Sequence, residues 1–281
     1  MNIFALLTKI PRRIIFLVIA LAIIIPLIIP IGIPVNVMAK SKKLFEAIDS
    51  LGPESKPILI SCDFDPTSMP ELYPMLIAIM RQCYARNIKV ILMALWAPGT
   101  GMAEMAFNDL SQEFRKTYGQ DYAFLGYKAG PSAVILGMGE NIESVFPTDY
   151  YGTPVDSLLM MTNVKNYKDI SQVITLSAGD PGWRTWLLFG QSRYGVKLGV
   201  GVTAVSAADV YPYIETGQVI GLLSGMKGAS EYEVMVQKGG YSNGRPRATQ
   251  GMDAQSLGHL IIMVLIILGN VGYFTMRRRS E

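Results

Sequence analysis

The chain is poor in the side chains that most often carry chemistry. Its 281 residues include one histidine, His259, and two cysteines, Cys62 and Cys83. A single His excludes, within one subunit, a Ser-His-Asp or Cys-His catalytic group, a His-rich zinc site and a His proton shuttle. Two cysteines in so long a chain exclude a disulfide-built miniprotein. Their expected places, at a strand end and late in the next helix, predict two buried thiols rather than a bridge. Charged residues make up 17%, below the roughly 25% of an average soluble domain. With no heptad run, short repeat or low-complexity segment, coiled coil, collagen and disorder are excluded.

What is abundant is apolar, 50% of the residues with 16 Met among them, and the excess gathers in two blocks. From Ile14 to Ile33 every residue is apolar, Gly or Pro. About 20 such residues cross a hydrocarbon core of ~30 Å, so residues 14–34 read as a first transmembrane helix. Pro26, Pro30 and Pro34 are expected to kink its outer third. Residues 257–275 read as a second span. Lys9, Arg12 and Arg13 precede the first and Arg277, Arg278 and Arg279 follow the second, whereas the chain between them carries 21 of the 22 acidic residues. Short basic flanks stay cytoplasmic while a long intervening domain translocates largely regardless of its charge. The expected topology therefore has a cytoplasmic N-terminus (1–13), a cytoplasmic tail (276–281) and an extracytoplasmic domain (35–237) at the cytoplasmic membrane. Val37-Met38-Ala39 offers a signal-peptidase-like site, but the preceding block exceeds the 7–15-residue core of a cleaved signal, which favours an uncleaved signal anchor. The net charge of +3 comes from the flanks. It reports topology and gives no reason to propose nucleic acid as a partner.

Between the blocks, strand and helix patterns alternate. Residues 57–62 (PILISC), 89–96 (KVILMALW), 121–127, 171–177 and 196–205 read as strands, the first as a continuous apolar run expected when both faces are buried. Residues 40–51, the segment opening at Ser68-Met69-Pro70-Glu71, the segment from Thr100, 131–146, 183–193 and the segment from Ser206 read as helices. This alternation predicts a three-layer, doubly wound α/β domain with a mostly parallel sheet of about five strands, flanked by the two spans. Residues 238–256, Gly-rich and polar, read as a flexible tether.

Ligands of open parallel sheets bind at the carboxyl ends of the strands, where several candidates fall. Asp63-Phe64-Asp65-Pro66-Thr67 follows the first strand directly. An apolar strand ending in Asp-x-Asp-x-Thr resembles motif one of the haloacid dehalogenase-like phosphohydrolases. The resemblance implies Asp63 as nucleophile, Asp65 as acid–base and a magnesium ion to offset the charge. It covers about ten residues, since Leu95-Trp96-Ala97-Pro98 stands where the family has Ser or Thr, and Arg184 stands where it has a second late acid. The residues alone allow a different role, with Asp63 and Asp65 capping a strand–helix turn. Gly99, Thr100 and Gly101 at a helix start could hold an anion on backbone N–H groups, or form a tight turn. Asp180, in Asp-Pro-Gly, could join Asp63 on a divalent cation, or serve the turn. Ser224 and Lys227 raise a Ser-Lys dyad, which needs no His.

Gly217, Gly221, Gly225 and Ala229 recur every four residues and are expected to form one small-residue helix stripe. Such a stripe lets a second element approach closely, either within the chain or at a subunit interface. The favoured functional expectation is a non-enzymatic binding or assembly component, in contact with the lipid bilayer and with a second copy or another membrane protein. The alternatives are the magnesium-dependent phosphohydrolase and an anion- or metabolite-binding sensor.

Overall fold

The computed structural model describes residues 11–29, 31–242, 244 and 246–280. Lys9, Pro30 and Glu281 of the expected flanks and first span lie outside the described residues. The chain divides into two compact units, Val35–Ala248 and the paired terminal segments Met1–Pro34 and Thr249–Glu281.

The larger unit opens with helix α2 (Ala39–Asp49), after α1 (Arg12–Ile28) of the terminal unit. It continues through β1 (Ile58–Asp63), α3 (Met69–Ala85), β2 (Val90–Ala94), α4 (Gly99–Glu113), β3 (Tyr122–Tyr127), α5 (Pro131–Glu140), the single turn α6 (Ile142–Val145) and β4 (Gln172–Ser177). Helix α7 is an α turn, Trp183–Thr185, a π-helical stretch, Trp186–Gln191, and a second α turn, Ser192–Tyr194. After it come β5 (Leu198–Val202), α8 (Ala207–Glu215), β6 (Val219–Ser224) and α9 (Gly225–Lys238).

The six strands form one all-parallel sheet in the order β3-β2-β1-β4-β5-β6. Strands β1, β2, β4 and β5 are buried along their whole length, as their apolar runs require. Ile58, Ile60 and Cys62 of β1 pack with α2, α3, α4 and α9, while Leu59 packs with α5, α7 and α8 on the other face. The sheet is thus doubly wound, with helices on both faces and one strand more than the sequence pattern predicts. Cys62 and Cys83 are buried free thiols.

The additional strand overturns the small-residue stripe. Gly217 sits in the turn after α8 at φ +77° and Gly225 opens α9 at φ +57°, conformations that interrupt a helix at both points. Gly221 lies inside β6 and Ala229 inside α9, so the four-residue spacing runs across three elements and no single helix face carries it. Gly221 serves packing within the chain: a Cβ there would lie 2.6 Å from the backbone nitrogen of Leu44, because α2 crosses directly over β6.

Lys227 and Ser224 do not form a dyad either. Lys227 ion-pairs with Glu231 and donates to the Asn36 carbonyl at 3.2 Å. Glu231 is fully buried and also accepts from Ser41 Oγ (2.5 Å) and the Met38 backbone N–H (3.2 Å), which ties the start of α2 to α9. Glu231→Ala is expected to cost about 2 kcal/mol by removing the buried acceptor that Ser41 Oγ, the Met38 N–H and Lys227 share. Thermal unfolding should show it as a Tm lower by about 4–8 °C; an unchanged Tm would mean the tie contributes nothing.

Helix α10 runs from Arg247 to Ser280, so residues 247–256, expected within a flexible tether, are helical. Asp253 on this helix is almost fully buried. Its carboxylate accepts the backbone N–H groups of Ile31, Gly32 and Ile33 at 3.1, 2.8 and 3.1 Å. Among the described residues one helix is long and apolar enough to cross a membrane, Arg247–Thr275. The expected N-terminal span does not reach that length. Helix α1 has 17 residues and ends at Ile28, with Ile29 already extended at φ −121°, as the residue before a proline prefers.

Candidate functional site

Strand order reverses direction between β1 and β4, and a crevice opens at the carboxyl ends of strands at such a switch point. There a cleft of about 170 Å³ is lined by Asp63, Phe64, Asp65, Trp96, Ala178, Gly179, Asp180 and Pro181. The β1–β4 register pairs Ser61 with Thr175 and Asp63 with Ser177. Alternation along each strand sends these four polar side chains to the face that carries Leu59 and Val173. A buried polar patch therefore underlies the cleft in an otherwise apolar core.

Asp63 is the centre of that patch and is 3% exposed. Ser61 Oγ lies 2.7 and 2.9 Å from its two oxygens, the Leu95 N–H donates at 2.7 Å and Thr175 Oγ1 at 3.2 Å. The carboxylate thereby clamps the end of β1 to the chain leaving β2 and to β4. The buried Trp186 indole N–H has no hydrogen-bond partner, and its dipole favours the ionised carboxylate. Burial dominates nonetheless and pushes the Asp63 pKa up to about 7, against the opposing donors Leu95, Ser61 and Thr175. The same burial, together with the adjacent Asp63 charge, raises Cys62 well above the usual thiol range.

Asp65 and Asp180 have local roles. Asp65 Oδ1 accepts from Thr67 Oγ1 (2.6 Å), the Thr67 N–H (3.0 Å) and Ser68 Oγ (3.3 Å), the Asx turn that leads into α3. These donors, Thr67 Oγ1 foremost, hold its pKa below the ordinary carboxylate value. Asp180 is exposed, and its Oδ1 accepts from Thr185 Oγ1 at 3.2 Å. Among the described residues no three His, Cys, Asp or Glu side chains group to hold a metal ion. Asp63 and Asp180 both line the cleft, each already engaged by donors of its own, Ser61, Thr175 and the Leu95 N–H for Asp63 and Thr185 for Asp180. Arg184, where the phosphohydrolase pattern has an acid, pairs with Asp209 at 2.5 Å and lies over the Trp183 ring.

None of Gly99, Thr100 and Gly101 lines the cleft. The Gly99 and Thr100 N–H groups donate back to the Trp96 and Ala97 carbonyls at 2.9 and 3.2 Å, leaving neither for an anion. Gly99 is required for another reason, because a Cβ on it would fall 1.8 Å from the Cys62 carbonyl oxygen. The N-terminus of α4 is thus seated directly on the end of β1.

The sequence placed Asp63, Asp65 and Asp180 at strand ends, and the fold does bring all three to one cleft. Trp96, 40% exposed at the rim, could have been found from its position just past a buried strand. Comparison with protein-family models, curated proteins and solved structures returns no match.

Proposed function

We propose that the protein is a membrane-anchored, non-enzymatic binding or assembly component. In this reading α1 and α10 lie in the bilayer, both termini are cytoplasmic, and the doubly wound unit is on the opposite side. The observation that carries it is the apolar surface the two terminal helices leave uncovered. Phe16, Leu17, Ile24, Ile28, Ile266 and Ile267 are each half or more exposed. A surface of this extent is costly in water and is covered without penalty by lipid. Helix α1, about 25 Å long, stands at the short end of spanning helices.

The binding half of the reading draws on the carboxyl edge of the sheet. Trp96, Tyr127 and Val205 are 40%, 44% and 89% exposed there, following or ending β2, β3 and β5. Asp63, the one deeply buried carboxylate of the cleft, spends its oxygens on holding three strands together, which supports a scaffold more than a nucleophile.

Both native thiols are buried, so a single surface cysteine reports topology cleanly. Glu54→Cys in intact cells is expected to react with a membrane-impermeant maleimide, and the protein to stay in the pellet after alkaline carbonate extraction. Labelling only after lysis would overturn the topology, and release by carbonate would overturn the anchoring. Light scattering of the full chain in mild detergent is expected to give a discrete oligomer; a strict monomer would remove self-assembly from the reading.

A further inference from the structure

Beside β3, the outer strand of the sheet, the chain leaves a groove of a different character from the switch-point cleft. The segment 146–150 returns along β3 and encloses about 350 Å³ with the carboxyl end of that strand. That volume falls within the roughly 300–1,000 Å³ of small-molecule sites. The strand side supplies Gly126, Tyr127 and Lys128, and the returning segment supplies Phe146, Asp149 and Tyr150.

The aromatic side chains here are held in place and still face outward. The Tyr150 N–H donates to the Phe124 carbonyl at 2.9 Å, and its ring lies 4.6 Å from the ring of buried Phe124. Gly126, at φ +81°, permits this approach, since a Cβ there would lie 3.2 Å from the Tyr150 ring. Tyr151 meets Tyr150 edge-on at 5.2 Å and Tyr118 at 5.3 Å. Asp149, almost fully buried, fixes the loop by accepting from the Tyr118 hydroxyl (2.6 Å) and from the Tyr151 and Thr153 N–H groups (2.9 and 2.8 Å). Tyr127, Tyr150 and Tyr151 nonetheless remain 44%, 43% and 53% exposed. Their hydroxyls make no hydrogen bond among the described residues. A surface ordered before its ligand arrives loses little entropy on binding.

Both charges of the groove are already engaged. Asp149 serves the three donors just named, while Lys128 donates to the Val145 carbonyl and lies 5.7 Å from the centre of the Phe146 ring. Exposed ring faces and unused hydroxyls without a free charge complement a ligand that is uncharged, apolar on one face and rich in hydroxyls. A pyranose has that character, with C–H groups across a face and hydroxyls around its rim. An ion would find no countercharge, and a wholly apolar ligand would displace water from the phenols without replacing its hydrogen bonds.

We propose that this groove binds a neutral oligosaccharide, its sugar rings stacked on Tyr127 and Tyr150 and its hydroxyls bonded to the phenols. The site names a ligand for the binding half of the proposed function, on which it rests, and is independent of the anchoring half.

The test is titration calorimetry of the full chain in a polyoxyethylene detergent, which has no sugar headgroup to compete. Maltohexaose, cellohexaose and chitohexaose are the probes, and saturable binding of at least one is expected. Tyr127→Ala should weaken it about tenfold. Tyr150→Phe keeps the ring on Phe124, removes one hydroxyl and should weaken binding about threefold. The unliganded Tm shows whether Tyr127→Ala is folded, and Tyr150→Phe keeps the test open if it is not. Affinity should be equal at about 50 mM and about 500 mM salt, because no charge pair is there to be screened. No binding of any probe by a chain that carbonate leaves in the pellet would overturn the ligand and spare the anchoring. Release by carbonate with saccharide binding intact would do the reverse. Binding of polygalacturonate alone that salt abolishes, or binding that both substitutions leave untouched, would also overturn the proposal.

Discussion

Gly99→Ala is expected to lower the Tm of the full chain by about 6–12 °C, or to abolish folding, whatever ligand is present. The added methyl would sit 1.8 Å from the Cys62 carbonyl oxygen and 2.9 Å from its carbon. Both atoms are backbone, so no side chain can rotate away, and relief requires α4 to lift off the end of β1. Overpacking of this kind costs about 3 kcal/mol or more, and for a chain of this size each kcal/mol moves Tm by about 2–4 °C. Gly101→Ala is the matched control. Nothing lies within 4 Å of its Cβ position, and replacing Gly by Ala in a helix gains up to about 1 kcal/mol. A Tm unchanged or slightly raised is therefore expected two residues from a severe loss. An anion-binding loop would instead show both substitutions weakening a ligand effect with little difference in unliganded stability.

Asp63→Asn is expected to change the pH dependence of stability more than any other single exchange at the switch point. The folded-state pKa of Asp63 is raised from 3.8 to about 7, so between those values the folded chain binds a proton that the unfolded chain releases. Stability contributed by this group is then greatest in acid, falls as pH rises through that window and is flat above it. The full span amounts to about 4 kcal/mol. Asn keeps an acceptor for the Leu95 N–H and cannot ionise, so the loss between pH 4 and pH 7 should vanish in the variant. Tm measured from pH 4.5 to pH 8 should show the variant gaining on the wild type toward pH 8. Asp63→Ala should be destabilised at every pH, because Ser61, Thr175 and the Leu95 N–H lose their acceptor. A variant and wild type that track each other with pH would mean that Asp63 is not the buried, proton-holding clamp described above. Loss of a magnesium-dependent phosphatase activity in Asp63→Asn would restore the nucleophile.

The layered α/β architecture was legible because its signals are local. Runs such as PILISC and KVILMALW bury on both faces without regard to distant residues, and Ser68-Met69-Pro70-Glu71 opens α3 where expected. Ser68, however, bonds to Asp65 rather than capping the helix. The sixth strand was missed because VIGLLS is short and lies among glycines whose four-residue spacing imitates a helix face. Only their positive φ values at Gly217 and Gly225 separate a strand from the helices on either side. At the site, strand-end position brought Asp63, Asp65 and Asp180 into view but not their state. A carboxylate that clamps three strands and one that attacks a substrate have the same sequence signature. They differ in which donors the neighbouring strands supply.

The amino-acid order by itself determined the two terminal apolar helices and the alternation that yields a parallel sheet, since composition and periodicity act over a few residues. The tertiary structure alone decided what each polar group is paired with. The β1–β4 register sets Thr175 beside Asp63 across more than a hundred residues. The crossing of α2 over β6 makes Gly221 a packing position, and chain return sets Tyr150 against Phe124. Asp253 meets the amides of residues 31–33 for the same reason. Such pairings depend on which segments become neighbours once the apolar faces are buried, and no local spacing encodes them.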